Sequence, residues 1–196
     1  MDKDVPSPSD TSEIGEEIMN QTQPIELAPA LDVVAWINTP KPLSLLQLKG
    51  KVVVIHAFQM LCPGCVTHGI PQATAIYDLY AKEDVQVIGL HTVFEHHDVM
   101  TIDALKVFVA EYRIPFPIAV DRPSESNAIP KTMAHYQMRG TPTIIVLDKN
   151  GRVRLHHFER IIDMQIGSFI GSLLVENNGL LISGGDAGCS VKKPNV

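Results

Sequence analysis

Cysteine is scarce in this chain: three among 196 residues, at positions 62, 65 and 189. That is too few for a disulfide framework, and a chain of this length can bury enough apolar surface not to need one. Cations are also in short supply. Sixteen Lys and Arg stand against 22 Asp and Glu, for a net charge of −6. With no basic stripe interleaved with aromatics, a nucleic-acid partner is set aside. Aromatics amount to 6% of the chain, with one Trp, Trp36. No apolar stretch approaches the roughly 20 residues that a membrane span requires. The opening MDKDVPSPSDTSEIGEEIMNQTQP lacks the basic start and apolar centre of a secretory signal. The chain as it stands reads as soluble and cytoplasmic, although one trimmed of an export signal would read the same way.

What remains is an ordinary globular composition, 45% apolar and 19% charged, sized for one domain with extensions. Residues 1–26 read as a flexible polar leader, 27–177 as the domain, and 178–196 as a flexible Gly-rich tail carrying Cys189 as an unpaired thiol. No internal repeat or linker divides the domain. LDVVAWINTPKPLSLLQLKGK alternates apolar residues with turn signals at Asn38-Thr39-Pro40 and Lys49-Gly50, and predicts a β-hairpin. VVVIHAF (52–58) and VQVIGLH (85–91) are continuous apolar runs of the kind found in strands buried on both faces.

Between them a helix is expected from Pro63 to about Lys82, with Ala73, Ile76, Tyr77 and Tyr80 on one face and a kink at Pro71. A helix over Ile102 to Tyr112, the short strand PFPIAVD and a helix near 128–137 follow. TIIVLD, the turn Lys149-Asn150-Gly151 and RVRLHHF make a hairpin, and IIDMQIGSFIGSLLVEN a closing helix. Strands alternating with helices imply an α/β fold around a central mixed sheet.

The chemistry concentrates in FQMLCPGC, where Cys62 and Cys65 follow a buried strand and open a helix. Loops at the carboxyl ends of strands are where open α/β sheets place their sites. A thiol at a helix start meets unpaired N–H groups and the positive end of the helix dipole, both of which favour the reactive thiolate. The second cysteine lies one helical turn on, within reach of a mixed disulfide on the first. Cys62 is therefore the expected nucleophile and Cys65 the resolving thiol.

Strand, CPGC and kinked helix, with Gly140-Thr141-Pro142-Thr143 ahead of TIIVLDKNGRV, resemble the thioredoxin fold. The N-terminal hairpin and the inserted helix–strand unit between Asp98 and Asp121 resemble its TlpA/ResA-like redoxin branch, of the AhpC/TSA-related superfamily. The resemblance spans about residues 27–177. It implies a thiol–disulfide oxidoreductase that needs no cofactor, acts on protein thiols or disulfides, and is reset by a dithiol or disulfide partner. It also implies a cis peptide at Pro142 facing the cysteines, with the Thr141 backbone pairing with an incoming chain. Leu61, Pro63 and Gly64 join Thr141 as expected substrate contacts. Three departures concern the setting of the pair. Leu61 stands where an aromatic is usual, Pro63-Gly64 reverses the common Gly-Pro, and His56 replaces a buried acid. Direction, reducing or oxidising, does not transfer across such changes, because about 30 mV is worth 1.4 kcal/mol.

Other readings stand beside these. His56 is either a proton shuttle for Cys65 or a satisfied core histidine. Zinc would need ligands beyond one Cys-x-x-Cys, and a copper or zinc carrier would recruit histidines. His91, His96 and His97 are either a metal patch or a solvated loop. His156 and His157 point to opposite strand faces and cannot easily share an ion. Met60, Met133 and Met138 read as packing residues. A peroxiredoxin would resemble Pro-x-x-x-Thr-x-x-Cys, but Ile55 and Gln59 hold the Pro and Thr positions. An interaction module would keep its binding without either thiol.

Overall fold

Strands β1 (Val33–Ile37), β2 (Val52–Phe58), β3 (Val85–His91), β4 (Ile118–Asp121), β5 (Thr143–Leu147) and β6 (Val153–Phe158) form one sheet in the order β1-β4-β3-β2-β5-β6. They are interleaved with helices α1 (Ile70–Leu79), α2 (Ile102–Glu111), α3 (Lys131–His135) and α4 (Asp163–Val175). The structure is a computed structural model describing residues 26–176. The expected tail and Cys189 lie outside the described residues, as does all but the last residue of the expected leader. Among the described residues no helix is long and apolar enough to cross a membrane.

β2 lies inside the sheet, parallel to β3 and antiparallel to β5, so its ladder is complete on both edges. It is covered on both faces as well, which explains why its sequence does not alternate: every residue of VVVIHAF is buried. Side chains still alternate by geometry. Val52, Val54 and Phe58 point into a core closed by Ile70, Ala73 and Ile76 of α1, Leu105 and Val109 of α2, and Ile166, Ile170 and Leu173 of α4. Val53, Ile55 and Ala57 point the other way, against Met133, Tyr136 and Met138, with Trp36 packed at the margin.

The inserted α2–β4 unit extends the sheet, β4 running parallel to β3. The β5–β6 hairpin forms as expected, with Gly151 at φ 80°. The N-terminal hairpin does not. β1 pairs antiparallel with β4, some 80 residues away in sequence, and residues 38–51 make turns instead of a second strand. Asn38 ends β1 at φ 59° and donates from Nδ2 to the carbonyls of Ile114 (2.8 Å) and Phe116 (3.0 Å). Pro40 and Pro42 then deprive the following segment of ladder donors, while β4 offers β1 an open edge.

Pro71 disturbs the helix as expected, but through a change of turn. Residues Cys65–Gly69 form a wide π-helical turn in which the Ile70 N–H reaches back to the Cys65 carbonyl, and the regular helix resumes at Ile70. The slip in register falls just before the residue that has no N–H to give.

Candidate active site

The carboxyl end of β2 is tied down before the cysteines begin. The Phe58 carbonyl accepts the Thr92 N–H at 3.1 Å. Gln59, buried at 1% exposure, accepts the Phe94 N–H on Oε1 (3.3 Å) and donates from Nε2 to Glu95 Oε1 (3.4 Å). Its carbonyl accepts the Cys62 N–H at 3.2 Å. One residue thus holds both the loop after β3 and the approach to the dithiol. Sequence reasoning used Gln59 only to reject a peroxidase motif. The usable signal was an amide placed directly after a fully apolar strand.

Cys62 caps the helix. Its carbonyl accepts the Val66 N–H (3.1 Å), and its Sγ accepts the Cys65 N–H (3.3 Å) in the manner of an N-cap side chain. The Cys62 thiol also donates to the Thr141 carbonyl at 3.5 Å. Both cysteines are free thiols, Cys62 half-buried and Cys65 fully buried. Burial pushes the Cys65 thiol up to about 12, and its hydrogen bond with Cys62 adds to this. The Gln59 main chain and Thr141 pull the other way. Cys65 is thus held as a neutral thiol beneath a more accessible sulfur.

The Thr141–Pro142 peptide is cis and sits across from the pair. A Cβ added to Gly64 would lie 3.3 Å from Pro142 Cδ, so glycine here permits the close approach of helix and proline. Pro63 is exposed at the helix start, and Leu61 is 56% exposed beside Cys62. The Pro142 carbonyl accepts the N–H of Glu159 (2.8 Å), a residue at φ 72° that no sequence signal singled out.

His56 lies behind this constellation. Its ring stacks on Phe58 with centroids 6.2 Å apart, and His91 contacts the same ring at 5.3 Å. Burial lowers each histidine to about 4, so both are uncharged at neutral pH. Among the described residues no hydrogen bond joins His56 to either sulfur, and its Nε2 has no hydrogen-bond partner. His91 is buried in β3 while His96 and His97 are exposed on the following loop. Among the described residues no three His, Cys, Asp or Glu side chains converge as metal ligands would. Met60, Met133 and Met138 are buried in the core.

A six-stranded mixed sheet with a half-buried thiol capping a helix over a buried one, beside a cis proline, defines the thioredoxin-fold class. The Redoxin family model matches residues 26–163, and the chain belongs to that family. It is 52% identical to a thiol-disulfide isomerase of known structure from Corynebacterium glutamicum, with a TM-score of 0.76, covering 79% of this chain and 99% of that one. It is 30% identical to the thiol-disulfide oxidoreductase ResA of Bacillus cereus over 58% of each chain. It is 32% identical to the protein DipZ of Mycobacterium tuberculosis over 62% of this chain and 17% of that protein. The chain thus spans less than two thirds of the length of these two curated relatives.

Proposed function

We propose that this protein exchanges disulfides with protein substrates through Cys62 and Cys65. The observation that carries the reading is the division between the two sulfurs. Cys62 is reachable and receives an N–H, whereas Cys65 is sealed and held protonated. In the reducing direction the Cys62 thiolate attacks a substrate disulfide, forming a mixed disulfide and releasing one substrate thiolate, which takes up a proton. Cys65 then gives up its proton and attacks the Cys62 sulfur. The second substrate thiol leaves, and a Cys62–Cys65 disulfide remains. Two electrons have passed to the substrate, and an external dithiol returns them. The oxidising direction is the same path reversed, with a disulfide partner restoring the pair.

The half-buried Thr141 backbone, whose carbonyl accepts from the Cys62 thiol in the dithiol form, offers a pairing edge to the substrate chain once that thiol has reacted. Leu61, Pro63 and Gly64 supply the contact surface around the sulfur. As a proton relay to Cys65, His56 would need an intervening group, since no hydrogen bond links the two buried side chains. The family relationship to proteins named as thiol-disulfide oxidoreductases supports the same reading. A peroxidase reading gains nothing from the site, because Gln59 is committed to Phe94 and Glu95.

The test is a trap. Cys65→Ser should accumulate mixed disulfides through Cys62 that a reductant releases, and Cys62→Ser should accumulate none. Full insulin-reducing or thiol-oxidising activity in both variants would sink the mechanism. A redox titration of the pair then assigns direction, a potential near −270 mV marking a reductant and one near −120 mV an oxidant.

A further inference from the structure

Gln59 is the first residue after β2 and is buried. Its carbonyl closes a turn over residues 59–62 by accepting the Cys62 N–H at 3.2 Å. Of the two residues inside that turn, Met60 packs into the core and Leu61 lies exposed. The Gln59 main chain also acts on Cys65, drawing its thiol down against the effect of burial. The backbone of one residue thus bears on both sulfurs.

Its side chain ties the turn to the loop after β3, which is itself firmly held. Thr92 donates its N–H to the Phe58 carbonyl (3.1 Å) and its hydroxyl to Asp121 Oδ2 (2.9 Å). Asp121 also accepts the N–H groups of Thr132 and Met133, and Phe94 packs against the core on the far face of β2. To this loop Gln59 adds two bonds, accepting the Phe94 N–H on Oε1 (3.3 Å) and donating from Nε2 to Glu95 (3.4 Å). One partner needs an acceptor and the other a donor, and a primary amide supplies both. A leucine would fill the space but leave the Phe94 N–H without its acceptor. A glutamate would set two carboxylates together.

Resolution of a mixed disulfide makes a demand that capture does not. For capture, Cys62 has only to be reachable. For resolution, the Cys65 sulfur must approach Cys62 Sγ along the axis of the bond that breaks, and fixed alignment of that kind is worth orders of magnitude in rate. Cys65 is fully buried at the first position of the π turn. The alignment is therefore adjusted from the Cys62 side, by the turn that Gln59 opens.

We propose that Gln59 is a positioning residue for the resolving step, its side-chain bonds to Phe94 and Glu95 holding Cys62 Sγ in line with Cys65. The proposal rests on the disulfide-exchange reading above. In that step the Cys65 sulfur bonds to Cys62 Sγ and the Cys62–substrate S–S bond breaks. Cys65 gives up a proton and the departing substrate thiolate takes one up. The substrate sulfur is reduced and the cysteine pair oxidised.

The experiment uses the full chain and a peptide homodimer joined by one disulfide. Capture is followed as the adduct forms in a Cys65→Ser background, and resolution as the adduct decays when Cys65 is present. Gln59→Ala should capture at the unsubstituted rate and resolve about tenfold more slowly, the worth of one hydrogen bond lost from the support. Carried to equilibrium, the same tenfold makes the pair about 30 mV more oxidising. A loss of stability shared by the oxidised and reduced folds leaves that potential unmoved. Gln59→Glu combined with Glu95→Gln exchanges donor and acceptor across the contact and keeps an acceptor for Phe94. That pair should recover most of the resolving rate, whereas Gln59→Glu alone should not. If Gln59→Ala fails to fold, Glu95→Ala at its exposed position removes one of the two bonds and should slow resolution about threefold. Unchanged resolution there overturns the positioning role. So do capture and resolution slowed by equal factors in Gln59→Ala, an unmoved potential, or an exchanged pair no faster than Gln59→Glu. An adduct that never forms with the unsubstituted chain instead defeats the exchange reading, and the positioning role with it.

Discussion

Replacing Gln59 with alanine removes two side-chain hydrogen bonds, those with Phe94 and Glu95, while leaving the main-chain bond to Cys62 formally intact. The loss should cost about 1–2 kcal/mol, because the Phe94 N–H loses its acceptor in a partly buried setting. The diagnostic measurement is hydrogen exchange at the Phe94 amide, which should quicken in Gln59→Ala along with a lowered denaturant midpoint. Unchanged protection at Phe94 would show that the loop is held by something else. At this scale sequence reasoning was uneven. Cys62, Cys65 and Thr141-Pro142 were legible because their chemistry depends on residue type and spacing. The partnerless nitrogen of His56 was not, since what surrounds a side chain is decided by elements far apart in the chain: Gly69 on the π turn, Ile144 on β5, Glu159 after β6.

At the scale of elements, the strands that could be read were those whose character is local. VVVIHAF and VQVIGLH declare two-sided burial in their composition, and Asn150-Gly151 declares a hairpin. The N-terminal hairpin misled because partner choice is not local. β1 has the strand-like pattern, but its hydrogen bonds go to β4, and Asn38 secures the junction by bonding the chain that leads into that strand. Asn38→Ala should therefore loosen β1 and β4 together, at a cost of about 1–2 kcal/mol from two lost hydrogen bonds and an unfavourable left-handed conformation. Amide exchange across both strands is the check. Faster exchange in β1 alone would argue against their coupling through Asn38. The π turn was half legible: Pro71 marks where a regular helix must yield, but a kink and a wide turn answer the same missing donor.

For the molecule as a whole, the buried histidines set how stability varies with pH. His56 and His91 titrate at about 4 when folded, against an ordinary value of 6.5. Between those limits the unfolded chain binds protons that the folded protein does not, so stability is full above about pH 6.5 and falls as pH drops towards 4. Asp121 works the other way. Burial raises its carboxyl in spite of hydrogen bonds from Thr92, Thr132 and Met133, and protonation relieves that penalty, though only at the acid end of the range. Urea midpoints should hold from pH 7.5 to about 6.5 and then fall towards pH 4.5, and the double variant His56→Leu, His91→Leu should flatten most of that slope. If the double variant keeps the original slope, other groups govern acid sensitivity.

If a substrate chain pairs with Thr141 as proposed, the hydrogen bond from the Cys62 thiol to the Thr141 carbonyl ties that pairing to oxidation state. A thiol can donate, but a sulfur in a disulfide carries no hydrogen. In the dithiol form the protein occupies its own acceptor at 3.5 Å; once Cys62 is bonded to another sulfur, that carbonyl is released to accept an N–H from the chain alongside. In the reducing direction covalent capture and strand-like grip would then begin together, while the Cys62–Cys65 disulfide left behind still leaves the carbonyl free. A product freed by Cys65 returns to a competitor for the carbonyl as soon as the dithiol is restored.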